Sequence, residues 1–130
     1  MQISEKTLKT LEFDKIRAML AACAPTEGAR EQATSLTPSA DVAEVLRRLR
    51  HTSDAKRLIE AKGMPSFGNV KDMPKILERA KLGAILTTRE LLDAANLLRT
   101  TRSLLEYIRT NKLFETSLDE IFANLTPQRQ

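Results

Sequence analysis

The 130-residue sequence has few of the residues that build disulfides, aromatic cores or irregular backbone. It contains no tryptophan, one tyrosine, four phenylalanines, four glycines, five prolines and a single cysteine, Cys23. A single cysteine excludes an internal disulfide; we interpret Cys23 as a small core residue, and a cytoplasmic, reducing setting fits this usage. Because aromatic side chains are scarce, the core has to be built from Leu, Ile, Ala and Met, a composition that favours packed helices.

Long hydrophobic runs are also missing. No stretch approaches the roughly 18 apolar residues of a membrane-spanning helix, and the N-terminal "MQISEKTLKTLEFDK" lacks the apolar segment of a signal peptide. We therefore expect no membrane contact. The formal net charge of +4 is mild, so it permits contact with nucleic acid without requiring it. The last residues, "NLTPQRQ", contain no closing element, which predicts that the chain is a fragment of a longer protein.

Residues that carry catalytic chemistry are scarce. The only histidine, His51, lies in a basic helix beside Arg50, and we interpret it as a surface or packing residue. His51 and Cys23 are too few to form a zinc site, which needs three or four protein ligands. The phosphate-binding pattern GxxxxGK[ST] does not occur. We therefore predict no catalytic, cofactor-binding or metal-binding residue in this chain, and we do not expect the chain itself to be an enzyme.

Helical periodicity predicts an all-α fold, a bundle of about six or seven helices without a strand. Two long helices are expected near residues 40–62 and 88–111. Each would run about 36 Å at 1.5 Å per residue, and the two are expected to be antiparallel within one helical domain, residues 1–130. Apolar residues at helical spacing are expected to face the core of this bundle: Phe13, Ile16, Met19, Leu20 and Cys23 in one helix, Val42, Val45, Leu46, Leu49, Leu58 and Ile59 in the first long helix, and Leu91, Ala94, Ala95, Leu98, Leu105 and Ile108 in the second.

Three helix starts carry capping residues. Thr26 follows a proline that ends the preceding helix, and its hydroxyl is placed to accept a free amide. Thr87 and Glu90 form the pattern of a capping box, in which each side chain accepts the backbone amide of the other residue. Ser117 and Glu120 repeat this pattern ahead of "LDEIFANL". The sequence therefore predicts helices that begin directly after these residues.

The stretch "GMPSFGNVKDMP", residues 63–74, interrupts the helical pattern and contains one of the four phenylalanines, Phe67. Gly63 is expected to end the preceding helix, Pro65 favours an extended or turn conformation, and Gly68 permits a positive φ angle. We predict that Phe67 packs back against the helix ends and anchors this loop, and that Asp72 caps the next helix. The alternative is a loop that binds a partner through the same ring.

A basic stripe lies in the first long helix. At 100° per residue, Arg47, Arg50 and Arg57 lie within about 80° of one another around that helix, where they could follow the phosphates of a nucleic acid. The alternative is a solvated face on which Arg50 pairs with Asp54 at the i,i+4 spacing. The absence of interleaved aromatic residues favours this second interpretation, because base stacking needs such rings.

Four stretches, in this order, resemble the N-terminal region of the MutS-like endonuclease family of bacteria: "EKTLKTLEFDKI", "LTPSADVAEV", "PSFGNVKDM" and "RAKLGAILTTRELLDAANLLRTTRSL". This is the second MutS branch, which lacks the mismatch-reading domain. The resemblance runs over roughly residues 4–125. It implies a long protein in which this helical start is followed by a lever and clamp region, an ABC-type ATPase that dimerises, and a small C-terminal nuclease domain.

The resemblance implies that this chain is the non-catalytic N-terminal domain of an ATPase and endonuclease that acts on branched DNA and suppresses recombination, or, in some relatives, acts on stalled ribosomes. ATP, Mg²⁺ and the homodimer contact would belong to the full-length protein, as would binding of DNA or ribosomal RNA. No catalytic residue of the family maps onto residues 1–130. The alternative function is a stand-alone helical protein-interaction module that does not contact nucleic acid.

Overall fold

The computed structural model describes residues 3–71, 73–110, 112 and 114–126. This part of the chain contains seven α-helices and no β-strand, which confirms the all-α prediction. The helices are α1 (Glu5–Thr10), α2 (Phe13–Cys23), α3 (Glu27–Thr34), α4 (Val42–Lys62), α5 (Pro74–Lys81), α6 (Thr88–Arg109) and α7 (Asp119–Ala123). The two longest, α4 and α6, lie at the predicted positions. Among the helices described, none is long and apolar enough to cross a bilayer.

The chain divides into two compact units, Met1–Thr52 and Ser53–Gln130, and the division falls inside α4. The first unit contains α1, α2, α3 and the first half of α4. The second contains the rest of α4 together with α5, α6 and α7. The expectation of one domain over residues 1–130 stays a prediction; coincident unfolding transitions from two different probes would support it.

Three short helices pack in sequence order in the first unit, α1 against α2 and α2 against α3. The hydroxyl of Thr26 caps α3, as predicted, by accepting the amide of Ala29 at 3.2 Å. Ser4 caps α1 in the same way. Between α1 and α2, Glu12 has a φ angle of +54°, a left-handed backbone that ends one helix before the next begins. Local caps and one turn therefore set these helix boundaries.

The start of α4 is fixed by polar side chains. The carboxylate of Asp41 accepts two of the first amides of the helix, at 2.8 and 3.4 Å. Arg48 forms an ion pair with Glu44 one turn earlier and donates to the carbonyl oxygen of Thr37 at 3.1 Å. Hydrogen bonds from Ser39 and then Arg48 lower the pKa of the Glu44 carboxyl group. Arg48 is thus tied to the beginning of its own helix.

The buried hydrophobic residues of the second unit come from three places along the chain. Leu58 lies in α4, Met73 directly precedes α5, and Leu105 and Ile108 lie in α6. α6 also packs against the short helix α7. The core of this unit is therefore small, and it is concentrated around the C-terminal half of α6.

The first predicted capping box forms and the second does not. The hydroxyl of Thr87 accepts the amide of Glu90 at 3.2 Å, and the carboxylate of Glu90 accepts the amide of Thr87 at 2.8 Å. At the second position, the amide and hydroxyl of Ser117 both donate to the carboxylate of Asp54, each at 2.8 Å. A bond to a buried carboxylate on α4 has replaced the predicted local bond with Glu120.

The C-terminal ends of α4 and α6 meet within the second unit. The ammonium group of Lys62 donates to the carbonyl oxygens of Tyr107 (2.7 Å) and Thr110 (2.5 Å). The hydroxyl of Tyr107 lies 2.9 Å from the carbonyl oxygen of Gly63 and 3.2 Å from that of Leu58. Antiparallel packing would place the end of one helix beside the start of the other. The predicted antiparallel packing of the two long helices is therefore not confirmed.

The apolar faces of α2 and of the first half of α4 are exposed, contrary to the predicted core positions. Met19 is 71% exposed, Leu46 61% and Leu49 59%. Cys23 is also exposed, so its interpretation as a core residue is wrong. Apolar spacing correctly predicts these helices, because it reflects the period of the backbone. Spacing does not specify which neighbouring element covers the apolar face, and in the described residues these faces are not covered.

Candidate nucleic-acid interface

Two of the predicted phosphate contacts, Arg47 and Arg50, lie on α4 within the first unit, and both side chains are exposed. In the described part of the chain, neither guanidinium group has a carboxylate within 4.0 Å. Arg47 only adds a weak attraction to Glu44, after the hydrogen bonds that chiefly lower the pKa of that group. Both arginines can therefore contact an external anion without breaking an internal ion pair.

The third predicted contact, Arg57, lies on α4 in the second unit and is engaged within that unit. Its guanidinium nitrogen is 3.5 Å from a carboxylate oxygen of Asp54, and its central carbon is 4.5 Å from the centroid of the Phe114 ring. Asp54 is buried and also accepts two bonds from Ser117. The alternative pair of Asp54 with Arg50 does not form. Arg57 thus helps to hold the segment after α6 on α4, and Asp54 partly neutralises its charge.

The side chains that could bind a metal ion are dispersed over the described residues. Across the described ranges, no group of three or more His, Cys, Asp or Glu residues is arranged to hold a metal ion. His51 is partly buried on α4, and Cys23 is exposed at the end of α2. The prediction that this chain contains no catalytic or cofactor-binding residue stays a prediction.

The loop between α4 and α5 approaches α6 closely at one glycine. Gly63 ends α4 with a φ angle of +80°, and Gly68 has a φ angle of +58°. A Cβ atom added to Gly68 would lie 3.0 Å from the hydroxyl oxygen of Thr100, a buried residue of α6. Phe67 is partly buried, and its role as the anchor of the loop stays a prediction. Asp72, predicted to cap α5, lies outside the described residues.

A second row of basic side chains was not predicted from the sequence. Arg99, Arg102 and Arg109 are exposed on α6. Their spacing of three and seven residues in "RTTRSLLEYIR" is the helical period, so the signal was present in the sequence. The leucines of the same stretch predict a core-facing helix, and this pattern hides the basic row.

Several other cations in the second unit are paired with carboxylates. Arg79 lies 2.6 Å from Glu90, and Lys112 lies 2.9 Å from both Glu115 and Asp119. The hydrogen bond from Lys112 is the main cause that lowers the pKa of Asp119 to about 2, and bonds from Glu115 and the neighbouring Thr116 add to it. These pairs leave fewer cations of this unit available to an external ligand.

The sequence is similar to curated proteins named endonuclease MutS2. It is 38% identical over 123 residues to the protein of Acetivibrio thermocellus, 38% over 106 residues to that of Symbiobacterium thermophilum, and 31% over 125 residues to that of Halothermothrix orenii. The alignments cover 95%, 82% and 95% of this chain. They cover only 15%, 13% and 16% of the three relatives, so the chain corresponds to a small part of each. No family model and no solved structure matches the chain.

Proposed function

Because this chain is homologous to the N-terminal region of the bacterial MutS2 endonucleases, we propose that it forms the non-catalytic helical start of a MutS2-type protein. Other regions of that protein would supply ATP hydrolysis with Mg²⁺, dimerisation and nuclease activity. The whole protein would act on branched DNA or on the ribosomal RNA of stalled ribosomes. The region described here would position those activities on the nucleic acid.

The observation that carries this proposal is the length of the sequence match within this chain. The match to the protein of Acetivibrio thermocellus covers 95% of the chain, so it does not depend on one short motif. The match covers 15% of that relative, which leaves most of a MutS2 protein to carry the ATPase and nuclease activities. The dispersed His, Cys, Asp and Glu side chains of the described residues are consistent with this division of roles.

The exposed arginines of α4 support a direct contact with nucleic acid. Arg47 and Arg50 are one turn apart on a helix, and a helix presents cations without the entropic cost of ordering a loop. Contacts of this kind are made to phosphates, so they position a protein on nucleic acid and do not read sequence. Arg57 is a weaker candidate, because its guanidinium group already binds Asp54 and covers Phe114.

A salt-dependent binding series tests the proposal. The affinity of the 130-residue chain is measured for branched DNA, duplex DNA and ribosomes at several salt concentrations. We expect weak, sequence-independent binding, and the variant Arg47→Glu with Arg50→Glu should reduce the slope of log affinity against log salt on duplex DNA by about 1.8, or about 0.9 for each lost contact. Lys6→Glu with Lys9→Glu on α1 is the matched control, since both lysines are exposed and the net charge change is equal.

A protein-interaction module without nucleic-acid contact is the second candidate function. The exposed apolar side chains of Leu46 and Leu49 favour it, because exposed apolar patches often mark protein interfaces. Binding of the unmodified chain to none of the three nucleic-acid ligands at low salt would contradict the first proposal.

Arg57→Lys is measured separately, with unfolding as its readout, so that loss of the Asp54 pair is not mistaken for loss of a phosphate contact.

A further inference from the structure

The C-terminal half of α6 carries a row of arginines on its open side. Arg99, Arg102 and Arg109 are all exposed. Steps of three and seven residues are close to whole turns, so the three side chains leave the helix on the same side. Of the buried residues of this half of the helix, Ile108 lies on the opposite side from Arg99, whereas Leu105 borders the row beside Arg109. The row therefore lies on a face that the packing of this unit leaves open.

Two arginines of this row retain an uncompensated charge. Within the residues that the structure describes, neither Arg99 nor Arg109 has a carboxylate within 4.0 Å. Other cations of the second unit differ in this respect, since Arg79 is bound to Glu90 and Lys112 to Asp119. Arg99 and Arg109 therefore place positive charge on the exposed side of α6, and no ion pair with a described residue neutralises it.

We propose that this row, Arg99, Arg102 and Arg109, binds the phosphate backbone of a nucleic acid. The inference rests on the proposed function and deepens it, because it names a contact surface on α6 in addition to α4. Ten residues of helix separate the two ends of the row by about 15 Å, which matches about four base-pair steps along the axis of a duplex at roughly 3.4 Å each. Guanidinium groups suit this ligand because their planar donors bind phosphate oxygens in pairs.

Two features of the row define the kind of binding. The aromatic ring in this stretch of α6, Tyr107, is partly buried, and its hydroxyl bonds to carbonyl oxygens of Leu58 and Gly63. It is therefore not placed to stack on a base, so the contact is made to the backbone and is independent of sequence. Glu106 lies within the same row and is exposed, and in the described part of the chain it has no cationic partner within 4.0 Å. A carboxylate at this position repels phosphate, so it limits the affinity of the row.

Charge reversal on α6 tests the proposal. The variant Arg99→Glu with Arg109→Glu is compared with the original chain and with the Lys6→Glu, Lys9→Glu control, using a labelled 20-nucleotide DNA strand, its duplex and an RNA hairpin of equal length. At low salt we expect the α6 variant to bind at least about tenfold more weakly, and its salt slope on duplex DNA to fall by about 1.8. The control should stay within about twofold of the original. Circular dichroism verifies that helicity is unchanged.

Removal of the acidic residue provides a test in the opposite direction. Glu106→Gln should raise the affinity for each nucleic acid by about twofold to fivefold, the range of one exposed charge interaction. Glu78→Gln on α5 is the matched control, because Glu78 is exposed and the change in net charge is the same. An equal gain from both variants would show a response to net charge alone, and it would overturn the proposed row.

The outcomes separate this inference from the proposed function. If the Arg47→Glu, Arg50→Glu variant weakens binding and the α6 variant does not, the α6 row is rejected while the proposed function stands. If the original chain binds no nucleic acid but binds vesicles containing anionic lipid, both proposals fail. Loss of binding in the α6 variant, together with a gain in Glu106→Gln, supports the row whether the better ligand is DNA or RNA.

Discussion

Lys62 and Tyr107 each bond to the carbonyl end of the helix that carries the other residue. The ammonium group of Lys62, the last residue of α4, donates to carbonyl oxygens at positions 107 and 110 at the end of α6. The hydroxyl of Tyr107 in α6 lies within 2.9 and 3.2 Å of carbonyl oxygens at positions 63 and 58 at the end of α4. The last carbonyls of a helix lack partners in the helix itself, so the ammonium group satisfies the end of α6, while the hydroxyl ties Tyr107 to the last turn of α4.

Removal of the Tyr107 hydroxyl should destabilise the second unit. Tyr107→Phe keeps the ring but leaves the carbonyl groups at the end of α4 without this donor, so we expect a loss of about 1 kcal/mol in the free energy of unfolding. Urea unfolding followed by circular dichroism measures the change. Thr52→Val is the control, since its hydroxyl bonds only to Arg48 of its own helix. An equal effect of the two variants would show that the junction contributes nothing specific.

Gly68 and Gly83 form a matched pair for testing the contact between the loop and α6. Both have positive φ angles, +58° and +83°, but an added Cβ meets Thr100 only at Gly68 and meets open space at Gly83. We expect Gly83→Ala to cost about 1 kcal/mol from backbone strain alone, and Gly68→Ala about 2 kcal/mol or more. Unfolding measurements give the difference, and in a Thr100→Ala background that difference should shrink.

Truncation of Phe67 tests the anchor hypothesis. Its ring is partly buried, so Phe67→Ala should cost about 2 kcal/mol, roughly half of the 3–5 kcal/mol typical of a fully buried ring. Phe67→Leu, which retains most of the apolar volume, should cost less. Both are measured by chemical unfolding. A change near zero in Phe67→Ala would favour the alternative, in which the loop binds a partner through this ring.

The stability of the second unit should fall at low pH partly through Asp119. Hydrogen bonds, chiefly the one from Lys112, lower the pKa of this carboxyl group from 3.8 to about 2. A lowered pKa stabilises the folded chain above the ordinary value, and this contribution is lost as the pH falls from about 4 through about 2. Unfolding free energies of the original chain and Asp119→Asn should therefore differ by about 0.5–1 kcal/mol at pH 6. The difference should shrink toward pH 2; a constant difference would contradict the assignment.

The helices could be predicted from the sequence because their boundaries are set by residues within a few positions of each other. Thr26, and Thr87 with Glu90, form local bonds that do not depend on the rest of the fold. Gly63 likewise ends α4 through its own backbone conformation, as predicted. Each of these helix boundaries is set by residues within one short stretch of sequence, so the sequence of that stretch is enough to predict it.

The remaining features depend on residues far apart in the chain. Ser117 has the sequence pattern of a capping box. Its amide and hydroxyl donate instead to the buried carboxylate of Asp54, 63 positions earlier in the chain. The same carboxylate recruits Arg57, which sequence spacing had placed in a solvated stripe. The reciprocal bonds of Lys62 and Tyr107 also join distant positions. Helical spacing cannot encode such pairings, because it describes one element at a time.

The small number of buried apolar residues has a consequence for the temperature dependence of folding. Among the described residues, five hydrophobic side chains are buried, whereas the large apolar side chains on α2 and on the first half of α4 are in water already. Unfolding therefore transfers less apolar surface to water than is usual for a chain of this length. The heat-capacity increment, the denaturant m-value and the curvature of the stability curve should all be correspondingly small. Calorimetry of this chain should record a broad, shallow transition.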